Sequence, residues 1–167
     1  MQTQIEETFE ILAPVDAVWA FLMDPQRVVE CMPGAKLEEM ADERTFIGNI
    51  GLKVGFVAVS YRVRGRFTEI DHVAHFARIE AEGQEGTKSG GAAKGTMTST
   101  SRALLDGGTE VQFAVEMELT GRMIEYGKGM IRSISRQLIK KFVTCAKNKL
   151  EGEDNRKSLL PHVVATE

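Results

Sequence analysis

Apolar residues recur along this chain at two periods, and the switches between the periods mark its elements. Ile5, Phe9 and Ile11 alternate loosely with polar neighbours as far as Ala13 and Pro14, the pattern of a strand that ends where a helix starts. Pro14 suits a first helical position. Val15, Val18, Trp19 and Leu22 follow at spacings of three and four, which predicts a short helix with one apolar face. Asp24 can cap a second short helix that begins at Pro25, carries Val28, Val29, Cys31 and Met32, and stops at Pro33 and Gly34.

The period then drops to two. Leu37 marks one hairpin strand, and Phe46, Gly48, Ile50, Leu52 and Val54 mark its partner, with Asp42 and Glu43 in the turn. Val57, Val59, Tyr61, Val63, Gly65 and Phe67 alternate with Ser60, Arg62, Arg64, Arg66 and Thr68, so one face of this strand is buried and the other solvated. His75, Ala77, Ile79 and Ala81 continue a weaker alternation. Gly83 to Gly91 reads as a turn rich in Gly and Ser, Ala92 to Leu105 as a further strand, and Asp106, Gly107 and Gly108 as a turn. Val111, Phe113, Val115, Met117 and Leu119 then alternate with Glu110, Gln112, Glu116 and Glu118 in a last strand that ends near Gly121. After Gly121 the period lengthens, and Ile124, Gly127, Ile131, Ile134, Leu138, Phe142 and Cys145 describe a long amphipathic helix.

One strand, two short helices, six more strands and a long helix predict an α+β fold in which a curved, seven-stranded antiparallel sheet wraps around the C-terminal helix. One helix cannot fill the concave face of such a sheet, so the space between them is either closed by bulky side chains or occupied by a ligand. Residues 1–151 form the expected domain. Residues 152–167, polar and aperiodic up to Lys157 and interrupted by Pro161, form an expected loosely ordered tail.

Composition narrows the function by exclusion. At 167 residues the chain has the size of one domain, and its 43% hydrophobic and 27% charged residues are ordinary for a globular protein. A net charge of -3 excludes a generally basic nucleic-acid binder, and no apolar stretch is long enough to cross a bilayer. Glu6, Glu7 and Glu10 stand where a secretory signal would be basic and then apolar, which predicts a cytoplasmic protein. Cys31 and Cys145 share no metal or redox motif and are expected to be free thiols.

The stretches DPQRVVECMPGAKLE (Asp24 to Glu38) and GRMIEYGKGMIRSISRQLIKKF (Gly121 to Phe142) resemble the G-type accessory protein of carbon monoxide dehydrogenase, a family within the START-like (SRPBCC) superfamily. The likeness extends over about residues 4 to 150, including the Trp19 helix, the LKVGFV turn from Leu52 to Val57 and the GGAAKGT strand. It implies a helix-grip domain with an apolar cavity; no cofactor is expected. It also implies an accessory role beside molybdenum hydroxylases, helping to place carbon monoxide dehydrogenase at the inner face of the membrane, with a respiratory quinone as a plausible ligand. Longer members of that family add a linker and an amphipathic anchor. Here the tail supplies only Leu159, Leu160, Val163 and Val164.

Candidate ligand-binding residues follow from both readings. Trp19, Phe46, Tyr61, Phe67, Met97, Phe113, Met117, Met123 and Met130 offer the aromatic faces and pliable thioethers that suit an irregular apolar ligand, although such positions are also where a core packs. Ile131 and Ile134 lie on the helix stripe facing the sheet. The resemblance places the cavity entrance at Cys31 and Met32. Lys128, Arg132, Arg136, Lys140, Lys141, Lys147 and Lys149 make the last helix basic, and Arg132, Arg136 and Lys140 share one face, fitted to an anionic membrane or an acidic partner. Arg62, Arg64 and Arg66 form a second basic row, which edge protection or solubility explains.

Catalytic and metal chemistry find no such pattern. His72 and His75, three apart on a strand, would point to opposite faces, and no third ligand stands nearby, so no metal is predicted. In GGAAKGT the lysine precedes the last glycine and no helix follows, which excludes a phosphate loop. Neither cysteine has a histidine partner in sequence, and Glu116 and Glu118 fall on a solvated face, so the expectation is a binding protein and not an enzyme. The competing expectations are an aromatase-, cyclase- or hydrolase-like enzyme working in the same cavity, or a general lipid carrier.

Overall fold

The computed structural model describes residues 1–54, 56–86 and 91–166; the side chains of residues 54, 57, 122 and 153–166 stand outside the description. The elements are β1 (Gln2–Ile11), α1 (Val15–Leu22), α2 (Pro25–Val29), β2 (Ala35–Met40), β3 (Thr45–Val54), β4 (Val57–Asp71), β5 (Phe76–Glu85), β6 (Ala92–Ala103) and β7 (Thr109–Leu119). A 3₁₀ turn (Arg122–Tyr126) and α3 (Gly127–Thr166) complete the chain. The seven strands form one antiparallel sheet in the order β1-β7-β6-β5-β4-β3-β2, with β1 and β2 at its edges. This is the architecture that the two periods predict.

Local chemistry explains most boundaries. Asp24 caps α2, its carboxylate accepting from the N–H groups of Gln26 and Arg27. The β6–β7 turn closes through Asp106, whose side chain accepts from the Gly108 N–H, and Gly107 supplies a φ of 90°. α2 ends at Val29, earlier than Pro33 alone suggests, because the chain turns tightly through Cys31 and Met32. β5 extends to Glu85 into the expected glycine-rich turn, of which residues 87–90 lie outside the described residues.

The last helix departs from its sequence pattern at its start. Gly127, at φ 78°, separates the 3₁₀ turn from α3 and resets the helical phase. Met123 is consequently the buried residue, whereas Ile124, expected on the sheet-facing stripe, is 43% exposed. Met130, a candidate for the pocket, is 46% exposed and faces away. The backbone of α3 is helical from Gly127 to Thr166.

A disulfide overturns the expectation of free thiols. Cys31, just beyond α2, and Cys145, on α3, are bonded across a Cα–Cα distance of 5.4 Å and a sequence separation of 114. Nothing in their spacing signals the pair, because only the packing of α3 beside α2 brings them together. Lys149 Nζ donates to Glu30 Oε2 at 2.6 Å, and the Leu12 N–H donates to Glu151 Oε2 at 3.0 Å. The middle and later part of α3 is thus tied to the short helices and to the end of β1.

Candidate functional site

Burial alternates along the strands and, with the register, defines an inner face that α3 covers and an outer, charged one. The inner face carries three separate apolar clusters. Ile11, Ala13, Val18, Phe21, Cys31, Val111, Ala146 and Leu150 form one beneath the short helices and the later part of α3. Trp19, Phe67 and Ala77 form a second with Phe46 and Ile79 against it, and Val59, Tyr61 and Met123 a third with Leu52, Tyr126 and Ile134.

Between these clusters lies the middle of the sheet. Met97 pairs with Ile79 on one side and Val115 on the other, and Met117 pairs with Gly95 and Thr3. Met97, Val115 and Met117 are half-buried, and none belongs to a cluster. Beside them Gly95, Ala81 and Gly65 are successive cross-strand partners, so this strip of the sheet itself carries no side chain larger than a methyl group. A Cβ on Gly65 would lie 2.2 Å from Phe46 Cζ; the Phe46 ring therefore rests on that glycine. On the helix side Ile131 is buried, and Leu138 is half-buried and likewise outside the clusters. Large apolar side chains at the centre of an inner face would ordinarily be closed off by neighbours.

Two hydroxyls add polar character to this face. Thr3 Oγ1 and Ser101 Oγ are buried without a hydrogen-bond partner, and Glu7, on the same face as Ile5 and Phe9, is half-buried. Sequence reasoning missed Thr3, Val115 and Ser101, although the β1 alternation extended back two residues from Ile5 would have placed Thr3 inward.

The predicted site residues divide among these regions. Met97 and Met117 lie at the open centre, and Phe113 nearby meets Phe9 edge-on at 5.9 Å. Trp19, Phe46 and Phe67 belong to the second cluster, and Tyr61, Met123 and Ile134 to the third. Cys31 is committed to the first cluster and to its disulfide, with Met32 half-buried beside it. Arg132, Arg136 and Lys140 are all exposed on α3. A groove of about 860 Å³ borders the open centre: Thr3, Gly65, Ala81, Gly95 and Met117 line it together with the charged Arg64, Arg66, Glu80, Glu82, Lys94, Glu116 and Glu118 of the sheet and Lys128 and Arg132 of α3.

His72 and His75 are not on a strand. They occupy the turn between β4 and β5, where Asp71 Oδ1 accepts from the Val73 and Ala74 N–H groups and His75 takes a φ of 54°. Both rings meet Trp19 edge-on, at 5.8 and 5.4 Å, and the indole N–H donates to His72 Nδ1 at 3.1 Å. The backbone N–H groups of Ala74 and then Val73 hold the Asp71 carboxyl below the ordinary range. Among the described residues no group of three or more His, Cys, Asp or Glu side chains is placed to hold a metal.

A curved antiparallel sheet around one long helix, with a thinly packed inner face, defines a helix-grip protein of the START-like class. The solved structures of similar shape agree. A conserved protein from Geobacillus kaustophilus matches at 20% identity and a TM-score of 0.80, over 90% of this chain and 96% of its own. The Zhui aromatase/cyclase from Streptomyces sp. R1128 (12%, TM-score 0.65) covers 90% of this chain and 94% of its own, and a norcoclaurine synthase from Thalictrum flavum (13%, 0.63) covers 92% and 97%. At these identities the likeness is one of fold. No curated protein matches the sequence. The model of the carbon monoxide dehydrogenase CoxG family matches residues 8–151, and the chain belongs to that family.

Proposed function

We propose that this protein binds a lipophilic small molecule between the centre of its sheet and α3, without transforming it. The observation that carries this reading is the position of Met97, Val115 and Met117, half-buried at the middle of the inner face and outside all three clusters. Membership of the CoxG family supports an accessory role beside a carbon monoxide dehydrogenase-type molybdenum hydroxylase, and an isoprenoid quinone is an apolar molecule of the kind that Met97, Val115 and Met117 would contact. The exposed Arg132, Arg136 and Lys140 suit recruitment to an anionic membrane. No helix among the described residues is long and apolar enough to cross one. Residues 1–151 are proposed as the ligand-binding unit. Mass spectrometry of solvent extracts from the purified protein tests the reading: a stoichiometric apolar compound is expected, and a protein that stays empty and takes up no quinone when exposed to one refutes it.

A second reading, an enzyme acting in the same space, draws on the unpartnered Thr3 and Ser101 hydroxyls and the half-buried Glu7. Conversion of a bound ligand that disappears on Glu7→Gln or Thr3→Val substitution would favour it over simple binding.

A further inference from the structure

Buried hydroxyls ordinarily find a partner, and among the described residues Thr3 and Ser101 do not. Their surroundings differ. Ser101 lies across from Val111, a member of the first cluster, in a closely packed part of the sheet. Thr3 lies across from Met117, which is half-buried and outside every cluster. Thr3 and Met117 both line the groove that borders the open centre, together with Ala81 and Gly95. Thr3 is only 4% exposed, and the end of β1 that carries it is pinned: the Met1 ammonium donates to the Leu119 carbonyl at 2.9 Å, and the Leu119 N–H donates to the Met1 carbonyl at 2.8 Å. Fraying of the strand therefore does not bring its hydroxyl to water. A buried hydroxyl without a partner lowers the stability of the protein that carries it, and an incoming acceptor removes that cost. Met117, flexible about three bonds, is the neighbour that can swing aside to admit one.

The charges of the groove decide which acceptor fits. Arg64 and Arg66 have Glu82 and Glu80 as their cross-strand partners, and Lys94 stands between Glu82 and Glu118. Each of these cations already faces a carboxylate. Lys128 and Arg132 of α3 share the groove with the same glutamates and with Glu116. With five cations and four carboxylates along it, an ionised head is attracted by one set, repelled by the other, and gives up hydration in either case. An uncharged oxygen avoids that cost and gains the Thr3 donor.

We infer that Thr3 is the residue that selects the head of the bound molecule: its Oγ1 donates to an uncharged carbonyl oxygen, while the apolar tail extends from Met117 toward Met97. The inference rests on the proposed binding of a lipophilic molecule and narrows it to a ligand whose polar end is neutral and accepts a hydrogen bond. Fatty acids and other ionised amphiphiles are thereby disfavoured.

The probes share one alkyl chain: a benzoquinone, the alkylbenzene that lacks its oxygens, and the carboxylic acid. In calorimetry on the full chain freed of bound lipid, wild type should bind the quinone about tenfold more tightly than the alkylbenzene, the worth of one hydrogen bond to an otherwise unmet donor. The ionised acid should bind more weakly than the quinone. Thr3→Val should lose the quinone's advantage and keep the affinity for alkylbenzene, and Thr3→Ser should restore that advantage. Without any ligand, the thermal midpoint of Thr3→Val should equal or exceed that of wild type, because the change removes an unmet polar atom and keeps the shape. A lower midpoint would mean that the hydroxyl already has a partner, and it would overturn the inference. So would an equal loss of both neutral ligands in Thr3→Val, a quinone advantage that survives the substitution, or an acid that binds more tightly than the quinone. Wild type that binds quinone and alkylbenzene equally refutes the inference alone, whereas wild type that binds no probe refutes the proposed function and the inference with it.

Discussion

Gly65 holds a place that no other residue fits without moving Phe46. A Cβ there meets the far edge of the ring, which can tilt only at the expense of its contacts in the Trp19 cluster. Gly65→Ala should therefore lower stability by about 1–3 kcal/mol in chemical unfolding. Adding Phe46→Ala should make the pair less costly than the sum of the two single changes; strict additivity would mean that the ring does not rest on the glycine. Asp71 gives a pH signature. Its folded pKa lies below the unfolded value, so the stability it contributes is present above the ordinary carboxylate range and is lost as pH falls through the folded pKa. Between pH 5 and 2 the thermal midpoint of wild type should fall more steeply than that of Asp71→Ala, and parallel curves would remove the Asx turn from the acid response. At this scale the sequence was a partial guide. The capping role of Asp24 and the inward-facing Tyr61 and Phe67 were legible because each rests on local chemistry or alternation. The convergence of His72 and His75 on Trp19 was not, because a turn carries no period from which to read direction.

Among the elements, α3 joins two different environments. Beyond its middle it is tied to the short helices by the Cys31–Cys145 disulfide and by the Lys149–Glu30 pair, which in turn holds the Glu30 carboxyl below its ordinary pKa. Its earlier part passes over the thinly packed centre. Opening the disulfide should release the later part of α3, which it holds, more than the earlier part: reductant, or the Cys31→Ser and Cys145→Ser double variant, should lower stability by about 2–4 kcal/mol. An unchanged thermal midpoint on reduction would show that packing alone holds α3 in place. The periodicity of the strands made all seven visible in sequence, since each has one solvated face. Two features of α3 escaped. The phase break at Gly127 moved burial from Ile124 to Met123, and the partner of Cys145 lay 114 residues away, a separation no local pattern reports.

For the molecule as a whole, fold and family were readable from the order of elements and from the motifs between Asp24 and Phe142, whereas the site was readable only in outline. Bulky aromatic and Met positions were the natural candidates. Most of them turned out to build the three clusters, and the open centre is defined as much by what is small, Ala81 and Gly95, as by Met97 and Met117. Absence of side chains becomes a feature only once the register aligns it across strands. If that centre is the container, tail length must govern affinity, because each buried methylene contributes about 0.8 kcal/mol before ordering costs. The direct test is calorimetric titration with quinones that share a headgroup and carry no, one, two or more isoprenoid units, repeated on Ala81→Leu to fill the floor. Affinity should rise steeply over the first units and then level off, with the rise blunted in Ala81→Leu; equal affinity for tailless and two-unit quinones would contradict it.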